Sequence, residues 1–266
     1  MALATSITRP SLQTRAGGTT AASVARPTPL LARRPRPAPP SSPRRTLRTP
    51  TTPTTMPRSS ARVRASAPSL DPGPPPPKDA DKVSVLMVCL GNICRSPSAE
   101  AVFRAVVERR GLADAFWIDS CGTGGGAGGW YKDGGFSYHE GDPADPRMTA
   151  AASARGVVLT SRSRPLTPAD VSRVDYILAM DASNESAIAT AAEHWAAKGK
   201  VKEKSAPLPG RVSRLTSYLR DPALRASHSF VPDPYYGGPS GFETVLDLLE
   251  DACEGLLDKI VADRGL

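Results

Sequence analysis

The sequence predicts an α/β fold, a parallel sheet flanked by helices on both faces. Three observations predict it. Residues 83–90 (VSVLMVCL) and 174–180 (VDYILAM) are nearly continuous apolar runs, as strands buried on both faces are. Ala99, Val102, Phe103, Val106 and Val107 recur at helical spacing, and so do Phe242, Val245, Leu246, Leu249, Cys253, Leu256, Leu257 and Ile260. Strand-type and helix-type segments alternate along the chain, which favours a parallel sheet covered on two sides.

The elements follow in order. Ser96-Pro97 opens the first helix, with Ser suited to the N-cap and Pro to the first helical position. Residues 116–120 form a second strand, and the glycine-rich stretch 122–135 (GTGGGAGGWYKDGG) is a loop. Residues 149–155 form a helix, 174–180 the third strand, 184–198 an alanine-rich helix and 212–219 a fourth strand. Residues 199–211 read as an exposed insertion. The last helix starts at the capping box Ser240-Gly241-Phe242-Glu243. No internal repeat is present.

Charge divides the chain unevenly. Residues 1–70 hold twelve arginines and no acid, a net +12 against +8 for all 266 residues, so residues 71–266 carry −4. The basic character belongs to the leader, and the folded part has no electrostatic basis for binding nucleic acid. The leader is rich in Arg, Ser, Thr, Ala and Pro and cannot bury enough surface to fold alone. Acid-free, Arg- and Ser-rich N-termini of this kind are typical of organelle transit peptides. Met1-Ala2 and Val63-Arg64-Ala65 look like a plant chloroplast transit sequence and its cleavage site. The expected organisation is a disordered transit peptide over 1–65, a proline-rich linker over 66–80 and one domain over 81–266. The expected location is the chloroplast stroma; the alternative is a basic tail on a cytoplasmic protein. No run approaches the ~18 apolar residues of a membrane helix, so no membrane partner is expected.

The cysteines are Cys89, Cys94, Cys121 and Cys253, with no CxxC pair, and the histidines are His139, His194 and His228. This is poor material for a metal site, and none is expected. Cys253 falls on the core face of the last helix and reads as packing; Cys121 is undecided.

The sharpest feature is Cys89-Leu90-Gly91-Asn92-Ile93-Cys94-Arg95-Ser96, joining the first strand to the first helix. Ligands of open parallel sheets bind at the carboxyl ends of strands, where a helix N-terminus offers free N–H groups and positive dipole. Gly91 and Asn92 can both take left-handed backbone angles, which lets successive amides turn inward as an anion nest. Arg95 adds a two-pronged clamp that Lys could not imitate. Helix dipole and guanidinium together favour a thiolate at Cys89 without a histidine base. Ser96 is placed to donate a hydrogen bond to that sulfur. CxxxxxR alone is weak, because it arises by chance; set between strand and helix as CxGNxCRS it is specific.

With these residues the sequence resembles the low-molecular-weight protein tyrosine phosphatases over nearly all of 83–263. The motifs are CLGNICRS at 89–96, Asp145-Pro146-Arg147, YILAMD at 176–181 and Asp233-Pro234-Tyr235-Tyr236-Gly237. The resemblance implies a four-stranded parallel sheet flanked by helices and no cofactor. It implies Cys89 as nucleophile, Arg95 as phosphate clamp and Asp233 as general acid. Asn92, Ser96 and Ser120 match polar residues that hold the loop in shape. Leu90 and Ile93 would give an apolar rim, while Tyr138, Tyr235 and Tyr236 would form aromatic walls. Cys94 matches a partner that protects Cys89 from over-oxidation through a reversible disulfide. A histidine of the family's supporting network is replaced by Ser161. The implied substrate is a phosphotyrosine-containing protein or a small aryl phosphate, taken by a monomer.

Each reading has a rival. Asp-Pro often starts an ordinary turn, and Tyr138 could be a plain loop aromatic. An arsenate reductase of this fold would need further redox cysteines, which Cys121 and Cys253 do not supply as a pair. An arginine phosphatase loop resembles this one with Thr in place of Ile93. A catalytically dead phosphotyrosine-binding module would not need Cys89, Arg95 and Asp233 together.

Overall fold

The structure, a computed structural model, describes residues 82–201, 208–236 and 238–266. These belong to the compact unit Arg64–Leu266. The expected transit peptide 1–65, the linker 66–80, Gly237 and residues 202–207 of the expected insertion lie outside the described residues.

The strands are β1 (Val83–Cys89), β2 (Phe116–Gly122), β3 (Tyr176–Ala179) and β4 (Val212–Arg214). All pair in parallel, as the sequence predicts, and the order is β2-β1-β3-β4. The helices are α1 (Arg95–Arg109), α2 (Pro146–Ala154), α3 (Pro168–Arg173), α4 (Ala182–Ala197), α5 (Pro222–Ser227) and α6 (Pro239–Arg264).

Every residue of β1 is buried. Side chains of a strand alternate between faces, so Val83, Val85, Met87 and Cys89 join the layer of α1 and α6, while Leu86 and Val88 meet Ile177, Ala179, Ile188 and Trp195 on the α4 side. All eight residues expected on the core face of the last helix are buried, joined by Leu248 and Ala252. At about 1.5–3 kcal/mol per buried large aliphatic side chain, this face is a principal source of cohesion for its layer.

Several boundaries differ from expectation. Strand β2 runs to Gly122, because the first glycine of the rich stretch pairs with Cys89 in register. A Cβ on Gly122 would lie 2.9 Å from the Leu90 carbonyl oxygen, so the residue must be small for the loop to pass. Helix α2 starts at Pro146, capped by Asp145, whose side chain accepts from the Arg147 amide. Helix α1 starts at Arg95 with Cys94 at the N-cap, so Ser96 is not the cap but lies in the first turn. The capping box expected at Ser240 does not form. Pro239 takes the first helical position, which its fixed φ and missing N–H favour, and Gly238 becomes the N-cap. Strand β4 ends at Arg214, and Leu215–Tyr218 tightens into a 3-10 turn. Helices α3 and α5 are too short to show a period; each is announced only by its cap and proline, Thr167-Pro168 and Asp221-Pro222. The end of the expected insertion is not exposed: Arg211 is buried and donates to the Val174 and Val171 carbonyls.

The glycine-rich stretch is tied down. Trp130 meets Trp195 edge-on at 6.0 Å, Tyr131 meets His194 at 5.2 Å, and Trp195 Nε1 donates to the Tyr131 carbonyl at 2.8 Å. Asp133 pairs with Lys198 and Lys200, which hold its carboxyl down at about 2. Gly124 has φ +89, and a Cβ there would lie 2.3 Å from the Trp130 ring.

Candidate active site

The order β2-β1-β3 makes the carboxyl end of β1 a topological switch point, where open α/β sheets bind ligands. Residues 89–96 occupy that place. Asn92 has φ +54, the left-handed angle that turns the loop; Gly91, expected to share this role, does not have positive φ. The Asn92 amide donates to Cys89 Sγ at 3.2 Å, and Ser96 Oγ lies 3.1 Å from the same sulfur. Neighbouring segments hold the loop from outside. Gly125 N donates to the Leu90 carbonyl at 2.9 Å, Ser163 Oγ to the Gly91 carbonyl at 2.9 Å, and Asp145 N to the Ile93 carbonyl at 2.7 Å.

Beneath the loop lies a polar network. Asn92 Nδ2 donates to Ser96 Oγ and to Ser120 Oγ, both at 2.9 Å. Asn92 Oδ1 accepts from the Arg164 amide at 2.9 Å. The Arg164 guanidinium is itself fixed between Asp119 and Asp170. Its charge, opposed by burial, is favoured by the anions around it, and its pKa is raised. Ser161, which stands for the family's histidine, has no hydrogen bond to Asn92, Ser96 or Ser120; it lines a separate cavity beside Glu100.

Arg95 is 3 % exposed. Its Nη1 donates to Asp181 Oδ2 at 2.6 Å and to the Val231 carbonyl at 3.2 Å, and its Nη2 donates to Asp233 Oδ2 at 2.8 Å. Burial works against its charge, yet Cys89, Asp233 and Asp181 outweigh this and raise its pKa. Asp233 is anchored by the Tyr235 amide, which donates to Oδ1 at 3.0 Å. Burial, with help from Asp145, pushes the Cys94 thiol up to about 12, and burial also raises Cys121 and Cys253. These three are protonated thiols at neutral pH.

A cavity of about 140 Å³ opens over the loop. Cys89, Leu90, Gly91, Ile93, Cys94 and Arg95 line it from the loop, and Asp233, Tyr235 and Tyr236 from the segment before α6. Gly125 and His139 complete it. Tyr138, expected as a wall, is not among the lining residues. It packs behind Gly125, half exposed, and presents His139 instead. Asn92, Ser96 and Ser120 lie under the floor, buried. Asp181, Glu100, His139 and Arg164 join the site without a role legible in the sequence. Only Asp181 had a local signal, at the end of the YILAMD run. Among the described residues no group of His, Cys, Asp and Glu could hold a metal ion, and no helix is long and apolar enough to cross a membrane.

A parallel α/β sheet whose first strand ends in an arginine-backed loop at a helix N-terminus is the scaffold of an anion-binding site. The sequence matches the model of the family described as low molecular weight phosphotyrosine protein phosphatase over residues 84–265, and the chain belongs to that family. It is 42% identical over 173 residues to the low molecular weight protein-tyrosine-phosphatase of Streptomyces coelicolor, covering 65% of this chain and 90% of that one. Its fold is similar to the crystal structure of a protein tyrosine phosphatase from Entamoeba histolytica, with 36% identity, TM-score 0.55, and coverage of 69% of this chain and 99% of that chain. It is also similar to a Drosophila arginine phosphatase, with 29% identity, TM-score 0.51, and coverage of 66% and 96%. The protein is therefore a phosphatase of the phosphotyrosine class.

Proposed function

We propose that this chain hydrolyses phosphotyrosine and aryl phosphate monoesters through a phosphocysteine at Cys89. One observation carries the reading: Cys89, Arg95 and Asp233 face a single cavity at the end of β1. A phosphoryl group seated there meets loop amides and the Arg95 fork, which stabilise its equatorial oxygens as charge shifts. Cys89 Sγ attacks phosphorus in line, and the bond to the phenol oxygen breaks. Asp233 gives its proton to that oxygen, then takes one from the water that cleaves the S–P bond, releasing phosphate.

Arg95 and Asp233 are paired without ligand, and a phosphate dianion would compete with Asp233 for the guanidinium. Leu90 and Ile93 supply an apolar rim for a flat ring, with Tyr235 and Tyr236 opposite. Cys94, in the same cavity wall, is the resolving thiol if Cys89 is oxidised.

Phosphoarginine is the second substrate class, favoured by the likeness to the Drosophila arginine phosphatase. Ile93 in the cavity lining supports the phosphotyrosine reading against it. A panel of phosphotyrosine, phosphoserine and phosphoarginine peptides tests the choice. Turnover is expected for phosphotyrosine alone; phosphoarginine turned over at equal or greater kcat/KM overturns it.

The location proposed is the chloroplast stroma, after import and removal of residues 1–65, with the mature chain a monomer. The acid-free, arginine-rich leader motivates this. Terminal peptide mapping of the protein from leaf tissue is expected to give a start near Ser66. An intact Met1 terminus in the cytosolic fraction would refute import.

A further inference from the structure

We propose that the glycine-rich stretch carries a substrate ledge beside the cavity. On it Phe136, backed by Tyr138, receives a large apolar side chain next to the phosphotyrosine of a polypeptide substrate. The proposal rests on the phosphotyrosine reading above and names the kind of polypeptide preferred. Phe136 is 58 % exposed and Tyr138 52 %, and their rings meet edge-on at 5.1 Å. Neither is among the residues that line the cavity. A small aryl phosphate held in the cavity therefore leaves the ledge empty, whereas the chain on either side of a phosphotyrosine runs over the rim.

The backbone under Phe136 is anchored. The stretch leaves β2 at Gly122, in register with Cys89. It closes on itself where the Tyr138 amide donates to the Gly124 carbonyl at 3.2 Å. Trp130 and Tyr131 fix its middle on Trp195 of α4, and Asp133 fixes it on Lys198 and Lys200 just after that helix. Gly135 then passes so close to Trp130 that a Cβ would lie 2.5 Å from its carbonyl oxygen. Phe136 thus stands on a tied segment and not on a free loop tip. A platform ordered in advance loses little entropy when it binds.

One exposed aromatic is ordinary; a contiguous exposed apolar patch marks an interaction site. Of the eight large apolar residues exposed among the described residues, five are Leu90, Phe136, Tyr138, Tyr235 and Tyr236. Contacts run without a break from cavity to ledge. The Gly125 amide donates to the Leu90 carbonyl, Tyr138 packs on Gly125, and Phe136 packs on Tyr138. The ledge therefore continues the cavity wall. It is also uncharged: residues 134–138 (GGFSY) hold no acid or base, and Asp133 before them is engaged by its two lysines. An apolar side chain sheds water on such a surface, while an acidic or basic one gains no partner from it.

The test uses phosphotyrosine peptides of serine and glycine in which a single leucine is moved through the positions on either side of the phosphotyrosine. At one position the wild type is expected to favour leucine over serine by about tenfold in kcat/KM, chiefly through KM, the worth of partly burying one such side chain. Phe136→Ala should lose that preference, and Phe136→Leu, which keeps an apolar face, should retain most of it. No leucine preference in the wild type, or one that survives in Phe136→Ala, overturns the ledge. An equal fall for the leucine peptide, the all-serine peptide and p-nitrophenyl phosphate would mean that the loop was disturbed, and overturns it too. So does a dimer lost in Phe136→Ala by analytical ultracentrifugation with selectivity unchanged, which would assign the ring to a second copy of this chain. If Phe136→Ala does not fold, the wild-type series and Phe136→Leu decide. A wild type that hydrolyses none of the peptides fails the proposed function instead. The ledge is then judged by fluorescence anisotropy of the same peptides: leucine should tighten binding to the wild type but not to Phe136→Ala, and equal binding overturns it.

Discussion

Cys89→Ser is expected to lower turnover of an aryl phosphate by at least about 10³-fold, the scale seen when a nucleophile is removed from a concerted site. The fold should survive. Cys89 is buried at the end of β1 in a well-paired loop, and a serine oxygen can accept from the same Asn92 amide and meet the same Ser96 hydroxyl. What it cannot do is ionise. A hydroxyl is a far weaker acid than a thiol, so the serine stays neutral and is a poor nucleophile. The loop amides and Arg95 remain, so inorganic phosphate should still bind and raise the melting temperature by mass action. Paired measurements of turnover and phosphate-dependent melting check both halves. Activity within tenfold of wild type would remove Cys89 from the chemistry; lost phosphate stabilisation would mean that the substitution broke the cradle instead.

The parts of this site that were legible in the sequence are those made within one short segment. Residues 89–96 carry the nucleophile candidate, the turn, the clamp and the first helical turn, because a strand-to-helix loop places them by local geometry alone. The buried strands and the core faces of α1 and α6 were legible because each shows a period. What was illegible is long-range pairing. Asp181 closes the YILAMD run, but nothing local names Arg95, 86 residues away, as its partner. Asp233 was named by its motif, but not its bond to Arg95 across 138 residues. Glu100 looked like one more charged position on α1, and only the fold shows that β2 brings Ser120 against it. Of the three expected wall tyrosines, Tyr235 and Tyr236 line the cavity, while His139 stands where Tyr138 was expected. His139 sits at φ +68, and that turn sends Tyr138 behind Gly125 and the imidazole into the cavity. The capping box at Ser240 was a local signal overruled by a stronger one, the proline just before it.

Asp233→Asn is the second large effect and separates proton donation from loop structure. The amide keeps the size of the side chain, and its oxygen can still accept from the Tyr235 amide. It loses the ion pair with Arg95, but the Asp233 side chain is 39% exposed and such pairs add little to stability. The melting temperature should therefore stay near wild type. With phosphotyrosine, whose phenol has a pKa near ~10, kcat should fall by about 10²–10⁴-fold, the usual worth of a positioned acid. KM should hold or fall, because the substituted site no longer offers Arg95 an anion that competes with phosphate. An aryl phosphate with a strongly acidic phenol needs little protonation, so formation of its phosphocysteine should suffer far less. Hydrolysis of that intermediate still lacks its base, so a burst of phenol followed by slow turnover is expected. Rapid-mixing kinetics resolve the two steps. If the burst rate falls equally for acidic and basic phenols, Asp233 does not donate the proton, and its place beside Arg95 is purely that of a counter-ion in a turn.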